Sequence, residues 1–351
     1  MGSVRRPPIP EALMDPEPPT NEPALLVATD SRVLRLEPGG SGVVEGGGLE
    51  GHRPTCLAAA PGDPLRAWCG TVRGGVFRTE DGGASWEPSG LDGKHIMSLA
   101  ASPVRDQLLW AGSEPSALFR SDDGGTSWRK CRDLTELSSS SEWAFPPRPE
   151  THHVRWIACH PFDADRLWLA IEAGALVTTG DGGASWRDRV SDGPRDTHEL
   201  AVHPQRPLGL RVAAGDGYFE SDDGGATWRT PAEGLEVGYL RSVALDPGDP
   251  DTVVVSASSG PRSAYVAGYA DGRLYRREKD GAWERVRAGW PHPPSTIAAL
   301  LRPGRRAGEF WAADERGVHR SDDGGRRWER VARYGETPSH LRGFELLTGA
   351  E

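Results

Sequence analysis

An eight-residue string recurs along this 351-residue chain, and that recurrence restricts the fold more than any other feature. TEDGGASW ends at Trp86, SDDGGTSW at Trp128, TGDGGASW at Trp186, SDDGGATW at Trp228 and SDDGGRRW at Trp328, while a worn copy, REKDGAW, ends at Trp283. Successive tryptophans stand 42, 58, 42, 55 and 45 residues apart. One unit is therefore about 42 residues long, and two of the intervals carry insertions.

The unit from His95 to Lys130 reads HIMSLAASP, LLWAGS, ALFRSDDGG and TSWRK, four short runs separated by turn residues. That is the pattern of a four-stranded antiparallel blade, and 45 glycines with 30 prolines suit many short strands. A sheet this small cannot bury both faces alone, whereas copies set around an axis cover one another. Near the amino end ALLVATD, RVLRLEP and GVVEG supply three strands without an opening one, and 340–347 supplies a lone strand, HLRGFELL. The expected fold is an all-β, seven-bladed β-propeller over 25–351, closed by strand 340–347 pairing into the first blade so that no sheet edge is left open. Residues 1–24, rich in proline, are expected to form a disordered lead.

The repeated string resembles the Asp box, or BNR repeat, with consensus S/T-x-D-x-G-x-T/S-W. The resemblance places each copy in the hairpin between the third and fourth strands of a blade. The physics agrees: Asp81, Asp123, Asp181, Asp223 and Asp323 can accept from their own turn, the glycines can take positive φ, and the tryptophan can bury its ring. Calcium is the weaker reading, because the further ligands and the twelfth-position glutamate of an EF-hand loop are missing. The layout is similar to propellers of the photosystem II assembly-factor and sortilin types, and more distantly to sialidases.

Opening strands align on Pro61, Pro103, Pro161, Pro204, Pro247 and Pro303, with Thr348 as the last equivalent. Four residues earlier lies an apolar layer, Leu57, Leu99, Ile157, Leu200, Val243, Ala299 and Phe344, which is read as core. Six residues earlier stand Thr55, Met97, Arg155, His198, Arg241, Ile297 and Arg342, and eight earlier Arg53, His95, His153, Asp196, Tyr239, Ser295 and His340. Because alternate strand residues share a face, these two layers are expected to line one mouth of the central channel. Insertions 132–152 and 259–270 emerge on the same mouth, with Trp143, Phe145, Tyr265 and Trp290 as candidate aromatic walls.

The leading expectation is a binding module. Arg53, His95, His153, Arg155, His198, Tyr239, Arg241, His340 and Arg342 would form a basic site for an anionic small molecule, a sugar acid or an acidic peptide or protein. The first alternative is a sialidase-like glycoside hydrolase. In that family three arginines clamp a carboxylate, a tyrosine is the nucleophile and an aspartate the acid, so Tyr239 and Asp196 would be the catalytic candidates. That family's early F/Y-R-I/L-P motif has no counterpart, since VRRPPIP does not match it. The second alternative is a metal-dependent enzyme holding a transition metal on His95, His153 and His340. No cofactor is otherwise expected.

A net charge of −10 without a lysine or arginine run argues against nucleic acid. No window is apolar enough to span a membrane, and a cytoplasmic location is expected. Cys56, Cys69, Cys131 and Cys159 form no CxxC pair and are read as buried free thiols. HELAVH, from His198 to His203, is one residue too long for a zincin helix. His160 and His203 precede proline in turns and are expected to be solvent-exposed.

Overall fold

Repetition of one hairpin chemistry produces repetition of one sheet. The computed structural model describes residues 22–38, 47–291 and 296–349, and these form seven antiparallel sheets. Blade 1 combines Leu341–Leu347, Ala24–Thr29, Val33–Leu36 and Gly47–Gly48. The innermost strands of blades 2 to 7 are Pro54–Ala59, His95–Ala101, Val154–Cys159, Thr197–His203, Tyr239–Asp246 and Leu300–Pro303. Blades 4 and 5 have three strands, and a single bridge, Thr178 to Arg187 or Glu220 to Arg229, stands where the fourth would run. The inner strands pack in a closed ring, with Leu341–Leu347 touching both its neighbours. Its register against the first strand sets Phe344 opposite Val27, so the two ends of the chain close the wheel as the sequence predicts.

Most of the expected lead, and GVVEG at 42–46, lie outside the described residues. The lead ends sooner than expected, since Glu22 accepts from Arg320 at 2.7 Å and Ala24 already opens a strand.

The box turns explain themselves atom by atom. Asp81 accepts from the Ser85 amide at 2.9 Å and the Ser85 hydroxyl at 2.5 Å, while Thr79 Oγ1 accepts from the Gly83 amide at 2.8 Å. Asp123, Asp181 and Asp223 repeat the pattern. In all five full copies both glycines have positive φ, where a side chain is strained. The box tryptophans are less buried than expected: Trp328 is 2% exposed, but Trp86, Trp128, Trp186 and Trp228 are only half-buried. Two of them act as staples between blades, Trp128 Nε1 donating to Ser89 O at 2.7 Å and Trp186 Nε1 to Arg132 O at 3.2 Å.

The predicted apolar layer is core throughout, from Phe344 at 0% exposure to Leu99 at 9%. The cysteines are free thiols, Cys159 being half-buried; the register sets Cys56 opposite Gly70 and Cys69 opposite Leu57. His160 and His203 are buried, correcting the exposed-turn expectation: each Nδ1 accepts the amide two residues on, which satisfies the turn from inside.

Candidate functional site

The inner strands of blades 1 to 6 each carry one extra residue near their start. Pairing steps from Pro54 to Cys56, Ile96 to Ser98, Val154 to Trp156, Thr197 to Glu199, Leu240 to Ser242 and Gly343 to Leu341 while the partner strand advances by one. The skipped residues are Thr55, Met97, Arg155, His198, Arg241 and Arg342, the very layer singled out by alignment. A bulge turns the extra side chain away from the ladder and bends the strand, and here it bends six strands around one mouth. In blade 7 the strand starts only at Leu300, and Ile297 is buried ahead of it. Ser295 lies outside the described residues.

The mouth holds a cavity of about 540 Å³, lined by Arg53, Thr55, His95, Met97, His153, Arg155, Asp196, Tyr239, His340 and Arg342. Both insertions reach it, contributing Phe145 and Arg148 from one and Tyr265 from the other. Trp143 and Trp290 do not: Trp143 is buried and donates to Ser139 Oγ, and Trp290 is buried against His319 and Trp328.

Two expected ligand residues are absent from the lining. Arg241 is 2% exposed and donates to Ala298 O at 2.5 Å and Leu341 O at 2.7 Å, with Tyr265 over its guanidinium at 4.6 Å. Burial pushes that guanidinium down to about 10 despite Tyr265. His198 is 1% exposed, lies under Tyr239, and its Nδ1 donates to Leu240 O at 2.5 Å. Both groups lie beneath the lining, Arg241 under Tyr265 and His198 under Tyr239.

Sequence reasoning missed the acids. Glu172, Glu114 and Asp30 end or follow second strands, opposite His153, His95 and His340. His153 Nε2 lies 2.6 Å from Glu172, His95 4.0 Å from Glu114 and His340 3.8 Å from Asp30. Aligning second-strand ends, as the first strands were aligned, would have shown four carboxylates at one repeat position, the fourth being Glu315, which accepts from Thr296 and the Ile297 amide instead. The histidines are therefore no uniform cationic ring: burial foremost pushes His95 and His340 below the ordinary value, with nearby arginines adding to it. The three do not converge on one metal position either: among the described residues His95 and His153 both stand near Glu114 Oε2, at 4.0 and 3.7 Å, while His340 stands near Asp30. Instead Glu172, Asp196 and His198 bring three ligand atoms within 4.8 Å of one another.

Glu172 is held down to about 2, because the His153 bond and the Arg155 charge outweigh its burial. Asp196 is raised, by burial first and then by the Glu172 and Asp216 charges, against His198. Tyr239 is pushed well up by burial and by Tyr265, so its phenol keeps its proton, and no glutamate hydrogen-bonds it among the described residues. A tyrosinate nucleophile is unsupported by that geometry.

No protein-family model matches the chain, and no curated protein matches it. Solved structures do. A GH74 xyloglucanase from Xanthomonas campestris is 16% identical over 89% of this chain and 53% of its own, with a TM-score of 0.66. An ancestral GH74 enzyme is 16% identical over 81% of this chain and 39% of its own, at 0.64. YCF48 bound to D1 peptide is 18% identical over 89% and 84%, at 0.58. The chain thus spans only 39% and 53% of the length of those two GH74 structures. At these identities the likeness is one of fold.

Proposed function

We propose that the protein is a binding propeller whose funnel receives an anionic group, the carboxylate of an acidic peptide, among Arg53, Arg155 and Arg342. One observation carries the reading: Arg53 and Arg342 face the cavity with no carboxylate within 4.0 Å among the described residues, while most arginines of the wheel are paired. Burial, and then the charge of Arg155, pushes the Arg342 guanidinium below its usual value, and Arg53 adds to this. An anion between them would relieve that repulsion, and charge-assisted hydrogen bonds to guanidinium are among the stronger polar contacts.

A cavity of this size suits a short segment rather than a whole protein face. Phe145 and Tyr265 give it apolar walls. That a propeller of this fold, YCF48, is known bound to a peptide supports the choice of peptide over sugar acid or small anion.

The test is a titration, by fluorescence anisotropy, of an acidic peptide library with free or amidated carboxyl ends, beside glucuronate and phosphate. Peptide binding that falls at least tenfold in the double variant Arg53→Ala, Arg342→Ala is expected, with folding intact by circular dichroism. Peptide affinity unchanged by the double variant, or binding of glucuronate alone, overturns the assignment.

A further inference from the structure

On the blade 4 and 5 side of the cavity, three ligand-type atoms converge that the anion site does not use. Glu172 Oε1 and Asp196 Oδ2 each lie 3.8 Å from His198 Nε2. Every remaining atom of the set is already held in place. Glu172 Oε2 meets His153 at 2.6 Å and Arg155 at 3.4 Å, Asp196 Oδ1 accepts from the Ala173 amide at 3.0 Å, and His198 Nδ1 donates to Leu240 O. In a neutral ring that last bond fixes the tautomer, with Nε2 the acceptor on the side of the two carboxylates.

His198 is 1% exposed, and its Nε2 has no hydrogen-bond partner among the described residues. A buried imidazole nitrogen without a partner is costly unless something else takes its lone pair. A backbone carbonyl on the far nitrogen is the arrangement that orients a metal-bound histidine. Gly215 supplies the room: a Cβ there would stand 2.0 Å from Asp196 Oδ2 and 3.3 Å from His198 Cε1. Atoms bound to one ion at about 2.1 Å stand roughly 3–4 Å apart, so the set needs little closing.

We propose that Glu172, Asp196 and His198 bind one divalent transition ion of the Zn²⁺ or Mn²⁺ class, with its open positions facing the cavity. Two carboxylate oxygens and one imidazole suit such borderline ions better than the all-oxygen preference of Mg²⁺ or Ca²⁺. Arg155 is the cation nearest the set, and it sits on the opposite oxygen of Glu172. The exposed Asp216 adds negative charge from outside. The site differs from the His95, His153 and His340 set that the sequence suggested; it shares the cavity and the neighbouring Arg155 with the peptide reading, but none of its ligands is Arg53 or Arg342, the pair that the peptide test removes.

The experiment is isothermal titration of chelator-treated, untagged protein with Zn²⁺ and with Mn²⁺, and a Co²⁺ absorption spectrum as a second readout. One ion per chain is expected, with a visible Co²⁺ band. Affinity should drop at least tenfold in Asp196→Asn, whose amide oxygen can still accept from Ala173 N, and in Glu172→Gln. Asp216→Asn should stay within about twofold, since nearby charge without coordination is a weak effect. Stoichiometric binding that survives Asp196→Asn, or no binding by wild type at millimolar ion, overturns the proposal. So does an equal loss in Asp216→Asn, which would mean attraction by net charge alone.

Discussion

Arg241 Nη2 donates to the carbonyl oxygen of Leu341 at 2.7 Å, tying blade 6 to the strand that closes the ring, a hundred residues further along the chain. Its other terminal nitrogen holds Ala298 O, in the run leading into blade 7. One side chain therefore spans three consecutive blades beneath the funnel. Arg241→Ala would leave two buried carbonyls without that donor, and a loss of about 3 kcal/mol or more in urea unfolding is expected. Arg342→Ala, at a cavity-lining position without an ion pair among the described residues, should stay within about 0.5 kcal/mol of wild type. Equal effects from the two would contradict this division between buried support and lining.

The closing strand should be indispensable. Leu341–Leu347 pairs along the whole of Ala24–Thr29, and Phe344 is fully buried in a cluster with Leu25, Val27 and Trp311. A chain ending at 339 would expose that cluster and the edge of the first strand together. Such a truncation should be insoluble or lack a cooperative melt by circular dichroism. A soluble, cooperatively folded product would mean that blade 1 is complete without it.

How far the sequence was legible depends on what repetition encodes. Turn chemistry and the apolar layer recur at fixed offsets, so blade number, ring closure and core followed from Asp81-type turns and Leu57-type positions. The bulges have no composition of their own: an extra residue changes register, not residue type, and Arg155 and Arg241 look alike in one dimension. Their fates diverge because Arg155 meets Glu172 while Arg241 has Tyr265 above it and bare carbonyls within reach. Glu172 escaped notice because it follows a second strand, outside the alignment that found its partner His153.

The box tryptophans should differ in worth although their motifs match. Trp328 is 2% exposed and packs on Trp290 and the blade 6 to 7 core, so Trp328→Ala should cost about 3–5 kcal/mol. Trp128 is half-buried and acts chiefly through its bond to Ser89 O, so Trp128→Ala should cost about 1–2 kcal/mol. Urea midpoints of the two variants check the order. A larger loss at Trp128 would make the staple between blades, rather than ring burial, the dominant contribution of the motif.

Acid should loosen the wheel at its turns. Asp81 is held down to about 2 by hydrogen bonds from the Ser85 side chain and amide, Asp181 likewise by Ser185, and Asp223 by Thr227. Their ordinary value is 3.8, so the folded state favours the ionised form. A carboxylate with a lowered folded value contributes stability that is present above pH 4 and disappears as pH falls toward 2. These turns are exposed, so each contribution is small and screened by salt, but the copies act in the same direction. The triple variant Asp81→Asn, Asp181→Asn, Asp223→Asn should melt lower than wild type at pH 6, and the two melting curves should converge between pH 4 and pH 2 as the wild-type carboxyls take up protons. Parallel curves over that range would show that the boxes do not hold their charge through the turn, and would move the acid sensitivity to the buried carboxylates of the channel.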